Sequence, residues 1–225
     1  MDFADALAQN FTLLSYDLPG HGCSPVPGSA YSIEDLSVQL GKLLAANKIA
    51  RAHIVGISLG GLIAQHFAAT QPEMVDHLIL IDTTPQYTDE LRAMWAERAA
   101  TARSAGVKAL VDGLLKIWFT QQSIAADTPA VRYVRSALQR SSGDGYALAC
   151  EALAAADLRF AAAKISAPTL VLCGDDDIPS FLDASRWLES NIRGAKLEWI
   201  SKARHASVIE RPSEALAIMR RFLKD

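Results

Sequence analysis

The feature that most constrains this chain is an alternation. Four short apolar runs rich in β-branched residues or leucine, Phe11 to Tyr16, Ala52 to Ile57, His77 to Ile81 and Thr169 to Cys173, are each bounded by turn or breaker residues. A fifth run, Lys196 to Ile200, is weaker. All are too short for a helix, and near-continuous apolar character suits strands buried on both faces of a parallel sheet. Helix-like segments separate most of them. Ser32 precedes a stretch with Glu34 and Asp35 in its first turn and Ile33, Leu36, Leu40, Leu43 and Leu44 on one face. Others run from Leu59 to Ala69, from about Phe181 to Asn191 and from Pro212 to Leu223. This pattern predicts an α/β fold, with a mostly parallel sheet flanked by helices.

The section from about Pro85 to Lys164 departs from the alternation. It is rich in alanine, carries the aromatics Trp95, Trp118 and Phe119, and holds no convincing strand. It reads as an inserted helical cap, which Thr128-Pro129 and Ser142-Gly143-Asp144-Gly145 divide into four helices. The expected organisation is therefore a core domain in two parts, 1–84 and 165–225, with the cap at 85–164 between them.

Composition narrows the function classes. At 225 residues, half of them hydrophobic and 21% charged, the chain can bury a substantial core, and its net charge of −3 offers no basic surface for nucleic acid or an anionic membrane. Cys23, Cys150 and Cys173 are odd in number and widely spaced, so neither a disulfide framework nor a zinc site is expected. The acidic start Met-Asp-Phe-Ala-Asp lacks the basic and apolar regions of a signal peptide, and no apolar run approaches the roughly 20 residues of a bilayer span. A cytoplasmic protein acting on a small molecule is the expectation, with no metal and no cofactor.

The chemistry is concentrated at Gly56-Ile57-Ser58-Leu59-Gly60, between an apolar run and a helix-like stretch. This is a nucleophile elbow, in which a sharp turn lifts the serine oxygen out of the sheet and glycines two residues either side avoid side-chain clashes. A nucleophilic serine needs a base to take its proton and an acid to orient that base. The loop Gly174-Asp175-Asp176-Asp177 follows one strand, and Lys202-Ala203-Arg204-His205 follows the next. Ser58, Asp177 and His205 thus occur in the order serine, acid, histidine, each after a strand. Asp176 is the alternative acid within its loop, and Asp82, after Ile81, is a second alternative. His53, His66 and His77 fall in strands or a helix and read as structural.

Several segments resemble the α/β-hydrolase superfamily and, more narrowly, its 3-oxoadipate enol-lactonase group. They are Tyr16-Asp17-Leu18-Pro19-Gly20-His21-Gly22-Cys23-Ser24, the Gly-Ile-Ser-Leu-Gly-Gly elbow, Trp118-Phe119-Thr120, Gly145-Tyr146, Ala156-Asp157-Leu158-Arg159, Gly174 to Asp177, and His205 with Glu210 and Pro212. The resemblance implies attack by Ser58 on a lactone or ester carbonyl, His205 as general base, Asp177 as its orienting acid, and the Leu59 backbone N–H as one oxyanion donor. Trp118 would line the substrate pocket. Because the substrate of that group carries a carboxylate, Arg132, Arg135 and Lys116 are candidate cationic partners, although charges on helices more often face water. A general carboxylesterase or a carbon–carbon bond hydrolase of the same fold is the neighbouring alternative. A dehalogenase is disfavoured, since that chemistry needs an aspartate where Ser58 stands.

The resemblance also implies a departure. Members of the superfamily have further N-terminal strands and a His-Gly loop that completes the oxyanion hole, and one such strand lies between those formed by 11–16 and 52–57. The gap would leave backbone groups unpaired. The expected explanations are direct pairing of the two strands, another chain filling the gap as in a homodimer, or a misassigned start codon, the last being favoured because the helix at Met1 looks cut rather than capped. A catalytically silent binding protein on the same scaffold is the alternative of another class.

Overall fold

The computed structural model describes residues 3–223, so the expected helix start at Met1 lies outside the described residues. Four of the five apolar runs form one parallel sheet, β1 (Ala52–Ile57), β2 (Val75–Ile81), β3 (Thr169–Gly174) and β4 (Lys196–Ile200), paired in chain order. The register sets Gly56 beside Leu80, Leu80 beside Val171, and Leu172 beside Glu198. Alternation across the pleat explains why β2 and β3 read as continuous apolar runs. Leu78, Leu80, Val171 and Cys173 pack on one face with helix Leu59–Thr70. Ile79, Ile81, Leu170 and Leu172 pack on the other with helix Pro212–Phe222. Each face has its own core.

The expected helices form at their expected places. Ser32 and Asp35 make a reciprocal capping box: the Ser32 hydroxyl accepts from the Asp35 N–H at 3.1 Å, and the Asp35 carboxylate accepts from the Ser32 N–H at 2.8 Å. The helix it starts, Ile33–Ala46, buries Ile33, Leu36, Leu40 and Leu44, with Leu43 only partly covered. Between β2 and β3 the named elements are helical, the longest being Asp89–Ala105, Val111–Trp118, Pro129–Arg140 and Gly143–Ala155, with short turns at Gln121–Ala125 and Arg159–Ala162. Thr128 and Ser142 cap the third and fourth of these, as their positions predict.

One expected strand does not form. Residues 11–16 have no regular secondary structure and belong to no sheet, and Leu13, Leu14 and Tyr16 are exposed. β1 pairs on one side only, with β2. Its other side and the 11–16 segment face each other across a cavity of about 1110 Å³ lined by Phe11, Leu13, Tyr16, Val55 and Ile57. Direct pairing of the two runs is therefore corrected: apolar sequence favours burial, but a strand is defined by backbone hydrogen bonds to a neighbour, and β1 makes these only with β2.

Candidate active site

Ser58 sits between β1 and helix Leu59–Thr70 with φ 51° and ψ −113°, a left-handed conformation that a non-glycine residue adopts only when its surroundings enforce it. Two hydrogen bonds enforce it here. The Ser58 N–H donates to Ile81 O at 2.9 Å, and the Thr83 hydroxyl donates to Ser58 O at 2.8 Å. The close approach of helix to strand needs Gly56, where a Cβ would lie 2.1 Å from Gly60 O, and Gly61, where it would lie 2.5 Å from the Thr83 side chain. Gly60 is a correction to the symmetric reading of the elbow, because a Cβ there would meet nothing within 4 Å. The steric requirement falls on Gly61 instead.

The acid and histidine loops follow β3 and β4 and are packed against each other. A Cβ at Gly174 would lie 2.3 Å from Ala203 O, so only glycine lets the histidine loop settle on the end of β3. Asp176 N–H donates to Ala203 O at 3.0 Å, and the Asp175 carboxylate accepts from the Lys202 N–H at 2.7 Å. Within this frame the Asp177 carboxylate accepts from the Ile178 N–H at 2.7 Å and lies 3.1 Å from His205 Nδ1. His205 Nε2 lies 3.1 Å from Ser58 Oγ. Asp177 and His205 are buried, so the pair is sheltered from water.

The neighbouring aspartates are assigned by the same geometry. Asp176 is exposed, 4.0 Å from Arg204. Asp82 is fully buried but its oxygens accept from Gly174 N–H at 3.0 Å, Ser207 N–H at 3.2 Å and the Ser207 hydroxyl at 2.6 Å. It ties β2 to both loops, while the carboxylate hydrogen-bonded to the imidazole is that of Asp177. Burial pushes Asp82 up to about 7, against the opposing pull of the His205 charge and the Ser207 and Gly174 donors. Burial also opposes protonation of His205, but the hydrogen bond and charge of Asp177, with the charge of Asp82, outweigh it and leave the imidazole more basic than an ordinary histidine.

The remaining expected residues have definite places. Leu59 opens its helix, and its N–H, one of the unpaired donors of a first turn, has no backbone acceptor among the described residues. Trp118 lies 6.5 Å from the His205 ring, lines the large cavity together with Ser58 and His205, and accepts from the Ala206 N–H through its carbonyl at 2.9 Å. Arg132 and Arg135 are not free: both pair with Asp127, at 3.5 and 2.7 Å. Lys116 is exposed.

Sequence reasoning missed the role of Glu210. Its buried carboxylate accepts from Thr120 N–H and Arg204 N–H, each at 3.1 Å, and from the hydroxyls of Thr120 and Ser123. It therefore fastens the helical segment to the loop that carries His205. The one available signal was a glutamate five residues after the histidine, on an otherwise ordinary helix start.

The fold, the elbow and the loop order can be set beside known proteins. A profile described as alpha/beta hydrolase fold matches residues 1–212. The chain belongs to the alpha/beta hydrolase fold family. It is 33% identical over 216 residues to 3-oxoadipate enol-lactonase 2 of Acinetobacter baylyi, an alignment covering 94% of this chain and 80% of that protein. It is 32% identical to the pimeloyl-[acyl-carrier protein] methyl ester esterase of Chromobacterium violaceum, covering 98% and 87%. The crystal structure of the enol-lactonase from Burkholderia xenovorans superposes with a TM-score of 0.93 at 34% identity, covering 98% of this chain and 84% of that one. The family is one of hydrolases, and these relatives include an ester-cleaving and a lactone-opening member by name.

Proposed function

We propose that this hydrolase is a serine esterase or lactonase that opens a small lactone through an acyl-enzyme, most like a 3-oxoadipate enol-lactonase. The observation that carries the reading is the continuous relay from Ser58 Oγ to His205 Nε2 and from His205 Nδ1 to Asp177, with 3.1 Å at each step. In this mechanism His205 takes the serine proton as Ser58 attacks the carbonyl carbon, and Asp177 holds the imidazole in the tautomer with Nδ1 protonated. The developing oxyanion faces the Leu59 N–H at the positive end of a helix. Collapse of the tetrahedral species breaks the ring carbon–oxygen bond and expels an enolate. His205 hands the serine proton on to the departing enolate, which becomes a ketone, and the imidazole is neutral again. Water, deprotonated by His205, then attacks the acyl carbonyl and releases Ser58 and a carboxylate.

The helical segment between β2 and β3 acts as a cap, and Trp118 as a rigid apolar wall of the pocket beside His205. A general carboxylesterase is the second reading. It is supported by the similarity to the methyl ester esterase of Chromobacterium violaceum, at 32% identity. Two substrates separate them: hydrolysis of a p-nitrophenyl ester, lost in Ser58→Ala, supports the nucleophile assignment, and opening of 3-oxoadipate enol-lactone by the same protein supports the lactonase. Ester turnover with no lactone opening would leave the esterase reading standing and remove the lactonase one. Turnover that survives Ser58→Ala would sink both.

A further inference from the structure

The ends of β1 and β2 remote from Ser58 carry a second cluster of titratable groups. The register slips there: Ala52 lies beside Val75 but Ile54 beside Leu78, so His53 alone stands opposite Asp76 and His77. Successive side chains of a strand ordinarily point to opposite faces, and a bulge of this kind re-aims them. Here it gathers His53, Asp76 and His77, whose potential ligand atoms all lie within 4.8 Å of one another.

The spacing within the cluster does not suit hydrogen bonds. His53 Nδ1 and His77 Nδ1 lie 3.4 and 3.6 Å from the same carboxylate oxygen, Asp76 Oδ2, and both nitrogens are buried without a hydrogen-bond partner. It does suit a metal ion. Zinc binds imidazole nitrogen and carboxylate oxygen at about 2.0–2.1 Å in a tetrahedron, whose edges are then about 3.3–3.4 Å. The other oxygen, Asp76 Oδ1, is held by Arg51 at 2.9 Å, which fixes the carboxylate with Oδ2 toward the two imidazoles. Burial lowers the pKa of His53 against the opposing pull of Asp76, and the charges of His77 and Arg51 lower it further, so at neutral pH the ring is neutral and able to ligate. Phe11 meets the His53 ring edge to face at 5.6 Å, and Phe222 meets the His77 ring at 5.3 Å. These apolar walls strengthen the attraction between a carboxylate and a cation. On the open side His53 and Asp76 line the large cavity, which gives an ion a way in.

We propose that His53, Asp76 and His77 form a binding site for a zinc-class divalent ion, with water in the fourth position, and that the ion fastens the start of β1 to β2. Two imidazoles and one carboxylate suit zinc, whereas magnesium and calcium take oxygen ligands. The role is structural, because His53 precedes Ser58 by roughly 16 Å along an extended strand, too far for the ion to touch the reacting atoms. With three protein ligands and the Arg51 charge beside it, the ion is exchangeable. Among the described residues β1 pairs only with β2, so a clamp at its start reinforces the weaker edge of the sheet. His53 and His77 thereby acquire a function beyond the structural one that their places in strands suggested.

The test is calorimetric titration of the chelator-stripped protein with zinc chloride, with magnesium chloride for comparison. The expected result is one equivalent of zinc bound, a higher thermal midpoint in its presence, and no response to magnesium. In the double variant His53→Gln, His77→Gln the zinc affinity should fall by at least the 10-fold to 100-fold typical of losing an outer-shell partner, about two orders of magnitude or more. That variant keeps His21, His66 and His205, so an unchanged affinity places the zinc elsewhere and overturns the proposal. Absence of zinc binding by the natural protein overturns it too, and an unchanged thermal midpoint with zinc bound overturns the fastening role. If the double variant does not fold, X-ray absorption of the zinc-loaded natural protein decides. Two imidazole nitrogens with oxygen around the zinc support the site, and a single imidazole or a sulfur ligand overturns it.

Discussion

β3 and β1 are both short apolar strands of the same sheet, yet they end in opposite environments. Every residue of β3 is buried, between β2 and β4 and between the two cores. β1 has one partner, and Val55 and Ile57 on it are 47% and 38% exposed beside the cavity. An apolar run therefore states a demand for burial without saying what will meet it. The candidate site straddles the two environments. Ser58 ends the open strand, whereas Asp177 and His205 stand on the loops after β3 and β4, which Asp82 and Asp175 cross-link and Glu210 fastens to the helical segment. These cross-links, rather than the open strand, hold the proposed acid and base in place.

The sharpest way to break this contrast is to remove the acid. Asp177→Asn should lower kcat for a p-nitrophenyl ester by about 10⁴-fold while the fold persists, because the imidazole loses both its orientation and its counter-charge. A loss under tenfold would show that Asp82 can replace Asp177. The pH profile tests the same pair. The base works only when neutral, and Asp177 raises its pKa, so the acid limb of kcat/KM is expected above the ordinary histidine value of about 6.5. For stability the sign is opposite. A histidine with a raised folded pKa stabilises the native state most below about 6.5, and that contribution disappears as pH climbs through the folded value. A limb at or below an ordinary histidine would contradict the paired geometry.

Next in size is the closed core. Leu172 is fully buried in β3, and Leu172→Ala should cost about 2–5 kcal/mol in denaturant unfolding, with the spread set by how far the cavity collapses. Glu210→Ala should follow, at about 1–3 kcal/mol, since it strands the N–H groups of Thr120 and Arg204 in a buried place. It should also lower kcat by loosening the His205 loop. A stability loss with kcat intact would confine Glu210 to fastening helices.

How much of this was legible in the sequence follows the same division. β2 and β3 could be read because burial on both faces writes itself as continuous apolar character, β4 more weakly because four of its five residues are exposed or half-buried, and the helix at Ser32 because a capping box is local. Ser58, Asp177 and His205 could be read because strand-end position and chain order are sequence properties. The failure at 11–16 was of another kind: its composition satisfies the strand criterion, and pairing is a relation between segments that no window contains. Gly61 was overlooked in favour of Gly60 because the clash is with Thr83, more than twenty residues downstream. Glu210 sits on an unremarkable helical stretch, and its burial, which gives it meaning, appears only when helices and loops are assembled.

The smallest expected effect probes the open edge itself. Val55→Ala removes two methyl groups from a side chain that is 47% exposed, so little apolar area returns to water and no closed cavity forms. The expected cost is about 0.5 kcal/mol or less, against several for Leu172→Ala two strands away. Measuring both variants in the same denaturant, with m-values compared, turns the contrast between the strands into a number. If Val55→Ala instead costs about 2 kcal/mol or more, β1 is packed in solution as firmly as β3. The outward face of β1 would then have a covering layer, and the cavity beside Ser58 would be narrower than its present walls allow.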